Sequence, residues 1–174
     1  KKSDLIITIS ESAKKDIMNH LQVPEDKIRI VYPGIDLEKY SQMIGEKELK
    51  KIREKYKLPE KYILYLGTIE PRKNIERIVK SFLEYKNLSK SNIKLVLAGG
   101  KGWKYDKIIE LVEQNMDKII LTGYVEEKDK VSLYKMAKIF VFPSLYEGFG
   151  MPVLEAMACG IPVITSNVAS LPEV

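Results

Sequence analysis

With 174 residues, 45% of them hydrophobic and 30% charged, the chain is long enough for one packed domain and part of another. No apolar run approaches the ~20 residues of a membrane-spanning helix, which excludes an α-helical membrane segment. A single cysteine, Cys159, and a single histidine, His20, leave nothing for a disulfide framework, a zinc cluster or a Cys/His or Ser/His/Asp mechanism.

The lone cysteine suits a reducing cytoplasm. The net charge of +5 suits an anionic partner, whether nucleic acid, a membrane surface or a phosphorylated small molecule. Charge alone does not choose among them. Most lysines sit in mixed runs such as Glu46-Lys-Glu-Leu-Lys-Lys-Ile-Arg-Glu-Lys55, the pattern of a solvated helix face. The opening Lys1-Lys2-Ser3-Asp4 leads into five apolar or β-branched residues, too short a run for a secretory leader.

In chain order, short apolar or β-branched runs predict strands over 5–9, 28–31, 62–66, 93–98, 119–121, 139–142 and 162–165. Apolar residues recurring every three or four positions predict helices over 12–21, 47–56, 74–85, 105–115, 128–136 and 151–159. The central strands are apolar nearly throughout, as when helices cover both faces of a parallel sheet. The alternation therefore predicts a doubly wound, Rossmann-like α/β fold. A turn-rich stop at Val31-Tyr-Pro-Gly-Ile-Asp36 precedes a lysine-rich, poorly apolar stretch up to Pro59. That shift sets a boundary near Asp36, with residues 1–36 ending one domain and 37–174 forming another. The closing segment 166–174 reads as a loop with no following element, so truncation is expected at both ends.

The first candidate site is Leu66-Gly67-Thr-Ile-Glu-Pro-Arg72-Lys73-Asn74, where a strand ends at Gly67 and Asn74 is placed to cap the next helix. Arg72 and Lys73 just ahead of a helix oppose its dipole by ~0.3–1 kcal/mol each. Local stability does not account for them, whereas a bound anion does. Two exposed loop cations are the plain alternative until this loop is found to meet another. The loop Ala98-Gly99-Gly100-Lys-Gly102-Trp103 lines a base or phosphate pocket, or else Trp103 anchors the following helix to the sheet. Gly123-Tyr124-Val125 either offers main-chain groups to a base or is a simple turn.

The most informative stretch is 142–165. Gly148 and Gly150 allow a tight turn after a strand, Pro152 suits a first helical turn and Gly160 stops the helix. A helix beginning near Met151 points its free N–H groups and positive dipole end at whatever lies above Gly148 to Gly150, the geometry that holds phosphate. A turn shaped only by glycines, with Glu155 complementing the dipole, is the simpler alternative. Two acids framing the turn and the aromatic pair Tyr146 and Phe149 weigh towards a binding site.

Taken together, residues 67–74 and Pro143-Ser-Leu-Tyr-Glu147-Gly-Phe-Gly-Met-Pro-Val-Leu-Glu155-Ala-Met-Ala-Cys-Gly-Ile-Pro-Val163 resemble the family-4 retaining glycosyltransferases of GT-B fold. In that family a strand ends in a Ser-x-x-Glu-Gly-Phe-Gly turn with a second glutamate eight positions after the first. The match runs without a gap, and residues 31–36 are similar to the family's link between domains. The resemblance implies the C-terminal, donor-binding part of a two-domain enzyme. It implies that Arg72 and Lys73 bind the donor pyrophosphate and stabilise the leaving nucleoside diphosphate. The amides of Gly148, Phe149 and Gly150 then hold sugar and phosphate, Glu155 accepts hydrogen bonds from ribose hydroxyls, and Glu147 contacts the transferred sugar. Glu147, Arg72 and Lys73 are thus the expected catalytic residues, with Gly67 and Gly99 completing the donor-binding set.

The resemblance further implies a GDP- or UDP-linked sugar donor, no cofactor and no required metal. It implies a glycan, lipid or small-molecule acceptor and no nucleic-acid partner. The Gly-Thr-Ile-Glu-Pro-Arg-Lys-Asn wording is closest to mannosyltransferase members that use GDP-mannose, although UDP-sugar enzymes share the frame. The family's acceptor-binding N-terminal part, with its histidine near the transferred sugar, has no counterpart in these residues. His20 is expected on the surface of a helix, and the chain alone is expected to transfer little or no sugar. The implied location is the cytoplasm, with peripheral contact at the inner membrane face left open. Three alternatives stand beside this expectation: a hydrolase using Glu147 and Glu155, a GT-B sugar-nucleotide epimerase, and a basic nucleotide- or nucleic-acid-binding module. The hydrolase requires two carboxyls about 5 Å apart for retention, whereas eight residues of helix rise ~12 Å.

Overall fold

The computed structural model describes residues 3–103 and 106–174. Lys1, Lys2, Lys104 and Tyr105 lie outside the described residues, and so does the expected helix start at Tyr105. The first elements are β1 (Ile6–Thr8), α1 (Glu11–Leu21), β2 (Ile28–Ile30), α2 (Leu37–Ser41) and α3 (Glu46–Lys55). There follow β3 (Tyr62–Leu66), α4 (Ile75–Leu88), β4 (Lys94–Ala98), α5 (Asp106–Glu113), β5 (Ile119–Gly123), α6 (Lys130–Met136), β6 (Ile139–Phe142), α7 (Met151–Ala158) and β7 (Val163–Thr165). Each expected strand and helix is present, with ends shifted by less than one turn.

Strands β3 to β7 form one parallel sheet in the order β5-β4-β3-β6-β7, while β1 and β2 pair in a separate two-stranded parallel sheet. In the larger sheet the chain leaves β3 towards β4 on one side, whereas β6 returns on the other. The order therefore reverses between β3 and β6, and an open α/β sheet offers its ligand crevice at the carboxyl ends of the strands beside such a reversal. Helices on both faces explain why the tyrosines and leucines of β3 and β4 are buried together: Tyr62, Leu64, Tyr65, Leu95, Val96 and Leu97 have no exposed surface. Burying a side chain of that kind contributes about 1.5–3 kcal/mol. The tyrosine hydroxyls do not offset this gain, because Tyr62 donates to the Leu133 carbonyl and Tyr65 to the Thr68 carbonyl, both at 2.8 Å.

Helix α2 was not expected, since its stretch has few apolar residues. Asp36 starts it by accepting from the Lys39 amide at 3.0 Å. Four apolar side chains of the stretch, Tyr40, Ile52, Tyr56 and Leu58, turn into the core of the larger sheet, whereas Leu37 and Met43 stay exposed. The lysines stay outside, and Lys55 binds Asp129 at 2.7 Å. Among the described residues, no helix is long and apolar enough to cross a membrane.

Candidate functional site

The loops after β3 and β6 meet at the reversal point. The Leu145 amide donates to the Arg72 carbonyl at 2.9 Å, and the Asn74 carboxamide donates to the Pro143 carbonyl at 3.1 Å. Asn74 thus departs from its expected role as a cap. Its φ of 59° lies in the left-handed region, and side-chain capping needs an extended residue, so the carboxamide bridges the two loops instead.

Lys73 is buried, with its Nζ 2.6 Å from Glu147 Oε1 and 4.8 Å from the centre of the Phe142 ring. Arg72 reaches the same carboxylate oxygen at 3.1 Å. Its Nη1 also donates to the Tyr146 carbonyl at 2.7 Å, and its Nε and Nη2 donate to Glu70 Oε1 at 3.1 and 2.7 Å. Burial disfavours the Arg72 charge, but Glu147 and Glu70 outweigh it and raise the guanidinium pKa. Two cations are therefore matched by two carboxylates, and an incoming anion must compete with Glu147 for its partners.

Glu147 leads into the turn that starts α7. Gly150 holds φ at 118°, and a Cβ there would lie 2.8 Å from Leu171 Cδ2. Gly148 is different: its φ is not left-handed and a Cβ would meet only Ile9 at 3.5 Å, so the tight turn expected of both glycines rests on Gly150. Phe149, expected as aromatic surface, is buried with its ring centre 6.0 Å from that of Tyr32, whereas Tyr146 is exposed and donates to Asp16 at 2.6 Å.

Glu155 is buried on α7, and Tyr134 from α6 donates to its Oε2 at 2.8 Å. The Tyr40 hydroxyl of α2 stands by the same carboxylate, and its pKa is raised first by burial and then by the Glu155 charge. The two acids expected as a hydrolase pair therefore hold different partners.

The 98–103 loop is stitched to the Gly67 loop: Gly67 donates to Ala98, Ile69 to Gly100 and Gly102 to Ile69, each at 2.9 Å. Close backbone approach thus accounts for Gly99 and Gly102, whose Cβ atoms would lie 2.0 Å from the Gly67 oxygen and 2.7 Å from the Ile69 oxygen. Trp103 is 57% exposed, which does not fit an anchor buried against the sheet. Gly99 donates to the Gly123 carbonyl at 2.9 Å, so the ends of β3, β4 and β5 form one continuous rim. His20 is exposed on α1. Among the described residues, no group of three or more His, Cys, Asp or Glu is arranged to hold a metal ion.

A family model described as glycosyl transferases group 1 matches residues 46–174. The chain belongs to this family. A second model, glycosyltransferase family 4, matches residues 1–39. The O-antigen chain mannosyltransferase B of Escherichia coli is 39% identical over 173 residues, covering 98% of this chain and 45% of the relative. The chain thus spans about half the length of that relative or less. A glycosyltransferase structure from Rickettsia africae superposes with a TM-score of 0.85 at 20% identity, over 98% of this chain and 46% of that one. The Anabaena Alr3699/HepE structure, solved with UDP and glucose, gives 0.83 at 18% identity, over 98% and 46% of the two chains. These likenesses bear out the fold, that of the C-terminal Rossmann-like domain of GT-B glycosyltransferases.

In this group 1 domain, several residues near the turn carry no local signal. Ser170 has no exposed surface, and its hydroxyl, with one proton to share, lies 2.8 and 2.9 Å from the carbonyl oxygens of Glu147 and Phe149. The Ser170-Leu-Pro-Glu173 spacing resembles a capping box and marks a turn, but not the turn's partners. Glu173 accepts from the amides of Glu11 and Ser12 at 2.7 and 2.9 Å, capping α1 from the far end of the chain. We expect Ser170→Ala to destabilise the chain by about 1–3 kcal/mol, because the buried donor shared by two carbonyls is lost. Urea denaturation measures this, and an unchanged midpoint would show that the hydroxyl does not hold the turn.

Proposed function

We propose that this chain is the donor-binding part of a glycosyltransferase that moves a sugar from a nucleoside-diphosphate sugar to an acceptor with retention at the anomeric carbon. The observation that carries it is the convergence of Arg72, Lys73 and Glu147 at the start of α7, where the strand order reverses. Arg72, Lys73 and the amides of Gly148, Phe149 and Gly150 meet the charge that develops on the departing diphosphate. As the phosphates take over Arg72, Glu147 is released towards the transferred sugar. Glu155 accepts from the ribose hydroxyls, and the rim holding Gly67, Gly99 and Gly123 faces the rest of the nucleotide. The cations of the chain take the place of a metal. Residues 1–36 are the end of an acceptor-side domain and the link from it, and 37–174 form the donor side.

GDP-mannose is the favoured donor. Both the wording of residues 67–74 and the similarity to an O-antigen mannosyltransferase support it. Calorimetric titration of GDP, UDP and ADP into the 174-residue chain tests these assignments. GDP is expected to bind most tightly, with an affinity unchanged by EDTA, and Arg72→Ala should weaken it at least about tenfold, or about 1.4 kcal/mol. Undiminished binding by Arg72→Ala overturns the site, and a preference for UDP overturns the mannose assignment.

A further inference from the structure

We propose that Tyr134 is a positioning residue for ribose recognition: its hydroxyl holds Oε2 of Glu155 so that Oε1 meets the ribose hydroxyls of a nucleoside diphosphate. This rests on the donor-binding function proposed above. Glu155 is the fifth residue of α7, beyond the first turn in which a carboxylate gains most from the helix dipole. A buried carboxylate at that point needs partners, and an apolar pair in its place would serve stability as well or better.

The Tyr134 ring has no exposed surface and packs edge-on against Phe140 with centres 5.3 Å apart, so its hydroxyl is a fixed donor. The bond to Oε2, 2.8 Å long, sets the rotation of the carboxylate and leaves Oε1 for further donors. An ionised carboxylate only accepts hydrogen bonds, with about four lone-pair sites. Tyr134 takes one site on Oε2, and the two sites of Oε1 match the two hydroxyls of a ribose and not the single one of a 2′-deoxyribose.

Calorimetry of the 174-residue chain with GDP and 2′-deoxy-GDP is the test. The unsubstituted chain is expected to prefer GDP about tenfold, the value of one charge-assisted hydrogen bond. Glu155→Gln should remove the preference. Tyr134→Phe, which keeps the ring, should reduce it to about twofold while leaving 2′-deoxy-GDP affinity unchanged. A preference retained in Glu155→Gln means that Glu155 does not meet the ribose and the donor assignment itself fails. If Glu155→Gln loses the preference but Tyr134→Phe retains it, or Tyr134→Phe weakens both ligands equally, the positioning role is overturned. Should Tyr134→Phe not fold, the ¹³Cζ resonance of Tyr134 in the unsubstituted chain decides: GDP should shift it and 2′-deoxy-GDP should not, and equal shifts overturn the role.

Discussion

Lys73→Met is expected to destabilise the chain by about 3–5 kcal/mol, the usual result of removing one partner of a buried ion pair. The Lys73 and Glu147 side chains are each only 11% exposed and 2.6 Å apart. Methionine fills much of the lysine's volume over the Phe142 ring but leaves the Glu147 carboxylate with Arg72 alone. The stability effect and the binding effect separate in a double substitution. Lys73→Met with Glu147→Leu removes both charges and should recover most of the lost stability, giving a coupling energy well above the ~0.5 kcal/mol of independent sites. Neither variant should bind a nucleoside diphosphate, because the phosphate has lost its buried cation. Urea denaturation of the four members of the cycle, paired with calorimetry, measures both. Additive destabilisation would mean that the two residues do not hold each other, and full GDP binding by the double variant would remove Lys73 from the site.

Gly99→Ala should cost at least about 3 kcal/mol, combining backbone strain with a backbone clash. Gly99 holds φ at 145°, and a Cβ there would lie 2.0 Å from the Gly67 carbonyl oxygen. That oxygen belongs to main chain and cannot rotate away as a flexible side chain would. The substitution should also open the seam between the β3 and β4 loops. Faster hydrogen exchange of the Gly67 and Ile69 amides, which donate to Ala98 and Gly100, should report it. Gly100→Ala is the control, since nothing lies within 4 Å of its Cβ position. Equal midpoints for the two alanine variants in urea would show that the loops tolerate separation. The test also divides the roles of Gly99, because the close approach to Gly67 accounts for glycine there before any ligand is considered.

Local spacing made much of the architecture legible. The apolar run 62–66 and the run 139–142 coincide with β3 and β6, and the helix expected to begin near Met151 begins at Met151. These features depend on nearest neighbours: continuous apolar residues in a strand covered on both faces, a left-handed glycine before a helix, and a proline in its first turn. Where a role depended on partners further along the chain, expectation and structure parted. Asn74 had the composition of a cap, yet its partner is a carbonyl 69 residues away. Phe149 had the composition of an exposed aromatic, yet Tyr32 covers it. The stretch after Asp36 gave no sign of helix α2, yet Tyr40 of that helix reaches the core.

The sequence by itself determined the α/β alternation of a parallel sheet and the Glu147 to Glu155 segment as a strand-to-helix turn with its helix starting at Met151, because backbone torsion and burial period are written within a few residues. Only the tertiary structure decided what those acids hold. Glu147 meets Lys73 from 74 positions earlier because β3 and β6 are neighbours in the sheet, and Glu155 of α7 meets Tyr134 of α6 from 21 positions earlier. A carboxylate takes whichever donor the sheet order brings within about 3 Å, and spacing along the chain does not encode that distance.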